Sequence, residues 1–238
     1  MMRQTNLELA DELKNRAPRE LTPTIETYIL DAWQRKEAKG SSSPILHGDL
    51  HLNDLAQEYF EFLRELKRTE AVSLILKAVN SGVAVEHIFL EVFQPVQYHI
   101  GHLWHNNQIG VAEEHYFTAV TQLAISQLYP FIFAGREPNG KTMVAASVEG
   151  ELHELGIRIV SDLFALDGWD THYLGAKSPI SDLASTIEKV QPDMICISAS
   201  TAFSLPLVRQ LLDDIGRSTK HRDFPILVGG IPFIADQE

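Results

Sequence analysis

From residue 142 onward, short apolar runs alternate with stretches of helical periodicity. Thr142, Met143, Val144, Ala145, Ala146, Ser147 and Val148 form a near-continuous apolar run, the pattern of a strand buried on both faces. A polar turn follows, and residues 155–164 return to the spacing of an amphipathic helix. The same alternation recurs, with strands expected over residues 170–175, 194–200 and 225–230 and helices over 180–190 and 205–215. It predicts a doubly wound parallel sheet of flavodoxin or Rossmann type over residues 141–238. A domain of this plan normally adds one more strand and a closing helix. The sequence ends at Glu238, so that last strand and helix are expected to be missing, or the open edge to be covered by another chain.

Residues 52–135 carry a different pattern, helical almost throughout. Asn53 is placed to cap a first helix bearing Leu55, Tyr59, Phe60, Phe62 and Leu63. Thr69 is expected to cap a second helix, which ends at Ser81 and Gly82. A third carries Val85, Ile88, Phe89 and Val92, with Pro95 kinking it or starting a new segment that reaches Trp104 and His105. After a turn at residues 106–110, a last helix covers about 112–133. Helices joined by short turns make a four-helix bundle, and the Gly/Pro-rich segment at 135–140 marks the domain boundary. Residues 1–51 read as an N-terminal extension: one helix after Thr22 with Ile25, Tyr28, Ile29 and Trp33 in register, then a linker around Ser41 and Pro44.

Composition narrows the function classes. The chain has 238 residues, 45% hydrophobic and 22% charged, as expected of a globular protein. No run approaches the length of a membrane span, and the polar start is no signal peptide, so a cytoplasmic protein is expected. The single cysteine, Cys196, lies in an apolar strand and permits no internal disulfide. A net charge of −12 argues against direct nucleic-acid binding, which needs basic surface to neutralise phosphates.

The chemistry gathers at the ends of strands. His153 falls on the loop after the first strand, where open α/β sheets place their ligands. Glu151, two residues earlier, can hydrogen-bond one ring nitrogen and fix the tautomer, leaving the other for a metal. Gly156 completes the pattern Glu-x-His-x-x-Gly. Ser198 and Ser200 follow the third strand, and Gly229 and Gly230 the fourth. In the bundle, Trp104 precedes Glu114 and His115 by nine intervening residues. Taken alone, Trp104 suits a bundle core, and Glu114 and His115 a polar helix face. His99, His102 and His105 recur at a spacing of three, which drifts around a helix and does not converge on one ion.

Together these motifs resemble the cobalamin-binding domain, and in particular the light-responsive adenosylcobalamin photoreceptors. The resemblance implies His153 as the lower axial cobalt ligand, with Ser198, Ser200, Gly229 and Gly230 beside the buried benzimidazole tail. It implies a helical domain capping the upper face of the cofactor, Trp104 against the adenosyl group, and Glu114 and His115 lining the same pocket. His105 stands where the family's histidine takes the upper cobalt position after photolysis. The function implied is a sensor rather than an enzyme. Light would release the adenosyl group and shift domain packing or oligomerisation, with output through a protein partner or another domain and a homo-oligomer expected. Some stand-alone relatives carry a bilin in addition, for which Cys196 is a poor attachment point. The alternative is the corrinoid subunit of a methyltransferase system, with the same lower histidine but a methyl group carried on cobalt. A third reading is a cofactor-free α/β interaction module.

Overall fold

The computed structural model describes residues 53–134, 136–218 and 224–234. The expected helix after Thr22, the linker that follows it and the chain end at Glu238 lie outside these. The described residues divide into two compact units, with the break before Arg136.

The first unit is the helical bundle: α1 (Asp54–Arg64), α2 (Arg68–Asn80), α3 (Val85–His87), a π-helical stretch (Ile88–Phe93), α4 (Gln94–His105) and α5 (Val111–Phe133). Asn53 caps α1 as expected, its Oδ1 accepting from the Ala56 N–H at 2.8 Å. Thr69 does not cap α2. That helix starts two residues earlier, at Arg68, with Lys67 in the cap position and no side-chain cap bond. The reason lies in the preceding turn. Leu66 adopts φ +57°, and the Lys67 and Leu66 amides bond back to the Phe62 and Leu63 carbonyls at 2.9 and 3.0 Å. Such a reversal closes α1 and launches α2 directly. Tyr59, Phe89, Phe93, Ile100, Phe117, Ile125 and Leu128 fill the core, none more than 1% exposed.

The second unit is a parallel sheet with strands β1 (Thr142–Ser147), β2 (Asp170–Tyr173), β3 (Met194–Ser198) and β4 (Ile226–Gly229). The strand order is β2-β1-β3-β4, every neighbouring pair parallel. Alternate residues of β1 point to opposite faces. Val144 and Ala146 pack with α7 (Ile180–Val190) and α8 (Leu205–Ser218) through Leu183, Ile187, Val208 and Leu211. Met143 and Ala145 face α6 (Leu155–Leu166) through Ile157 and Phe164, with Trp169 beneath. Both faces of the two central strands, β1 and β3, are covered, which is why these read as continuous apolar runs. A short helix, α9 (Ile231–Ile234), follows β4 and was not foreseen in the periodicity. In this order the chain leaves β1 toward one side for β2 and returns past it for β3, so the carboxyl ends of β1 and β3 flank the topological switch point.

Candidate functional site

At that switch point β1 and β3 run in register, Ser147 opposite Ser198. Their hydroxyl oxygens are 3.1 Å apart, and Ser147 Oγ donates to the His153 carbonyl at 3.3 Å. The Val148 amide bonds to the Ser198 carbonyl at 3.0 Å, so both strand ends release their loops from one place. The first loop turns back at once. Gly150 takes φ +81°, a region open to glycine without strain, and the Glu151 amide returns to the Val148 carbonyl at 3.0 Å. That turn aims Glu151 inward and the next two side chains outward: Glu151 is 3% exposed, Leu152 62%, and the His153 side chain 70%.

The Glu151 carboxylate serves two loops. Its Oε1 meets His153 Nδ1 at 2.5 Å and accepts from the His153 amide at 3.0 Å. Its Oε2 accepts from the Ser200 amide at 2.8 Å and, more loosely, from the Ser204 hydroxyl at 3.4 Å. Burial alone would push this carboxyl up, but the bonds from His153 and Ser200 outweigh it and hold it down at about 2. The carboxylate therefore stays ionised and keeps the Nδ1 proton facing it. Nε2 then bears the lone pair that a metal would take.

The remaining expected residues sort by what the chain itself requires. A Cβ on Gly156 or Gly229 would meet nothing within 4 Å. Gly230 is different: its φ is +120°, and a Cβ there would sit 2.1 Å from the Ala199 carbonyl oxygen, so the close backbone approach between the β3 and β4 loops demands glycine. Ser200 contributes its amide, to Glu151. Ser204 was missed by sequence reading. Its signal was weak, a serine at the foot of α8 whose relevance depends on strand pairing.

In the bundle, Trp104 and His105 close α4, and Glu114 and His115 lie at the start of α5, on either side of the 106–110 turn. Trp104 is 48% exposed and so is not a core residue of the bundle. His105 and His115 are exposed as well. Glu114 accepts from the Thr118 hydroxyl at 2.9 Å and lies 3.6 Å from His115. Thr118 is also within 3.2 Å of Gln97 Oε1, and Gln97 donates to Thr121, which pairs with the buried Tyr59 hydroxyl. His99 stacks edge-on against Phe60, and no group of three or more potential ligands converges among the described residues, His99, His102 and His105 included. Cys196 is fully buried, its thiol pushed up by burial. No described helix is long and apolar enough to cross a membrane.

Comparison with known proteins meets this geometry at both units. A family model described as B12 binding domain matches residues 141–238, and a second of the same description matches residues 55–129. Dimethylamine corrinoid protein 3 of Methanosarcina acetivorans is 30% identical over 99 residues, which cover 42% of this chain and 46% of that protein. Methionine synthase of Mycobacterium tuberculosis is 24% identical over 132 residues, 55% of this chain but 11% of that protein. The chain thus spans under half the length of these curated relatives. The monomethylamine corrinoid protein of Methanosarcina barkeri shares the fold, with a TM-score of 0.67 at 15% identity over 75% of this chain and 85% of that one. The bundle and the parallel sheet are thus each similar to a B12 binding domain, in a chain whose curated relatives include corrinoid proteins.

Proposed function

We propose that the chain is a corrinoid carrier protein of a cobalamin-dependent methyltransferase system, holding its cofactor through His153 and serving a partner enzyme rather than catalysing by itself. The observation that carries this reading is the exposed imidazole on the β1 loop, its tautomer fixed by a buried, ionised Glu151. These residues fit a cobalt corrinoid. The ring offers Nε2 outward, and the positions of Gly156 and Gly229 leave open space where a side chain would project. B12 binding domain models match both units, and dimethylamine corrinoid proteins are among the similar proteins.

Bound corrinoid supplies a cobalt centre that accepts a methyl group and passes it on. The chain's own part is positioning and proton control. His153 would hold the metal, and Glu151 retains the Nδ1 proton and raises the basicity of the other nitrogen. Ser200 and Ser204 hold Glu151 in turn. Ser198, locked to Ser147, and the open backbone at Gly229 are proposed to border the nucleotide tail.

A second reading, the adenosylcobalamin photosensor, draws support from Trp104. Its half-exposed indole at the end of α4 offers a flat apolar face for a nucleoside, near Glu114 and His115 in sequence. One experiment separates the two. The protein is mixed with hydroxocobalamin or, in darkness, with adenosylcobalamin, then desalted. Retention with a base-off, His-on spectrum that is lost in His153→Ala is expected. The carrier reading expects the reduced, loaded protein to take a labelled methyl group from methyl iodide, with loss of iodide, and to yield it to a thiol when a corrinoid methyltransferase is added. It also expects no change of elution volume on green illumination of the adenosyl form. A light-driven change of elution volume without methyl transfer would transfer the assignment to the sensor.

A further inference from the structure

We infer that Glu154 is a positioning residue for His153. Its carboxylate anchors the histidine's loop to the loop after β2, and the presentation of the imidazole to a corrinoid depends on that anchor. The inference rests on the cobalamin reading above and adds to it a residue outside the Glu-x-His pair.

The need for an anchor follows from exposure. With 70% of its side chain in solvent, His153 gains little orientation from packing and must take it from the Glu151 bond to its ring and from its backbone. Glu151 ties that backbone to the β3 loop. Glu154 ties it in the other direction. It occupies the cap position of α6, and its Oε2 accepts from both the Tyr173 hydroxyl and the Ala176 amide, each at 3.0 Å. Gly175 leaves room for this arrangement. Its φ is +76°, and a Cβ there would press to 3.2 Å from the same oxygen. The Gly175 carbonyl accepts from the Ser147 amide at 3.0 Å, and Ser147 Oγ returns to the His153 carbonyl. A closed circuit of hydrogen bonds therefore runs from His153 through Ser147, the Gly175–Ala176 peptide and Glu154 back to His153.

The loop carries a third carboxylate, Glu149, which accepts from the Ile180 amide at the start of α7 at 3.3 Å. That longer bond lies outside the circuit and provides an internal control.

The test uses the full chain and hydroxocobalamin, read by equilibrium affinity and by the His-on fraction of the bound cofactor's absorption spectrum. Glu154→Ala is expected to weaken binding on the order of tenfold and to lower the His-on fraction. Tyr173→Phe, which removes one bond and keeps the carboxylate, is expected to fall between it and the unaltered protein. Glu154→Gln, which keeps an acceptor oxygen, restores the signature in part, and Glu149→Ala leaves it unchanged. Wild-type affinity and spectrum in Glu154→Ala overturn the inference, as does weaker binding with an unchanged His-on fraction, the mark of general destabilisation. If Glu154→Ala does not fold, Tyr173→Phe is judged by the same two criteria. Failure of the unaltered protein to retain hydroxocobalamin overturns the cobalamin reading itself, and this inference with it.

Discussion

Glu151 is a carboxylate almost wholly removed from water and satisfied by donors from two loops. Removing such a group from solvent is unfavourable unless its partners replace the lost hydration, and here they do. Its carboxyl titrates at about 2 in the folded chain against an ordinary 4.5. A depressed folded value means that the folded state releases this proton more readily than the unfolded state. The stabilisation is therefore complete above 4.5 and is lost as the pH falls from there toward 2. Urea unfolding between pH 5 and 2 should show the midpoint dropping through that window. In Glu151→Gln the midpoint should already be lower at neutral pH, and this part of the slope should be gone; an unchanged slope would count against the carboxylate as its source. At this scale the sequence was half legible. The Glu151–His153 contact follows from a separation of two residues in one turn. The Ser200 amide and Ser204 hydroxyl are some fifty residues away and meet Glu151 only because β1 and β3 pair in one particular register.

Single elements were legible where their signals are local. Asn53 was readable as a cap because a β-region residue with an acceptor side chain stood before a helical pattern. Its second role was not readable. Pro95 has no N–H to return to the Glu91 carbonyl four residues earlier, and the helix widens into a π-helical stretch just before it. Asn53 Nδ2 donates to that carbonyl at 3.0 Å, so one side chain both starts α1 and fastens it to the irregular helix. Asn53→Ala removes both bonds and should cost about 1–2 kcal/mol of bundle stability, measurable as a lowered urea midpoint. Asn53→Asp keeps the cap and loses only the donor, so it should recover roughly half. Equal losses in the two variants would show the tie to Glu91 to be the whole effect. The misplaced start of α2 has the opposite cause. Helix ends are usually marked by Gly or Asn in the left-handed region, and here Leu66 takes that role, with Tyr116 donating to its carbonyl at 2.9 Å. Nothing local announces a leucine at φ +57°.

For the whole molecule, the alternation of apolar runs sufficed for the parallel sheet, and the strand order places the β1 and β3 loops, with Glu151 and Ser200, at the switch point where such sheets bind ligands. The assignment of the bundle rested instead on Trp104, Glu114 and His115, residues whose chemistry is generic. Trp104 is 48% exposed at the end of α4, so its indole is accessible to a ligand. Linkage gives a way to weigh the two units separately. A ligand at a hundred times its dissociation constant stabilises the state that binds it by about 2.7 kcal/mol, which for a chain of this size corresponds to a rise of roughly 5–11 °C in unfolding temperature. Hydroxocobalamin should raise the melting temperature of the full chain by that order. His153→Ala, in the sheet unit, should lose most of the rise, and under the sensor reading Trp104→Ala should lose a smaller part of the rise that adenosylcobalamin gives in darkness. A Trp104→Ala protein that rises as far as the unaltered chain would mean that the indole takes no share in holding the corrinoid, and the exposed tryptophan would then have to be explained by a partner protein instead.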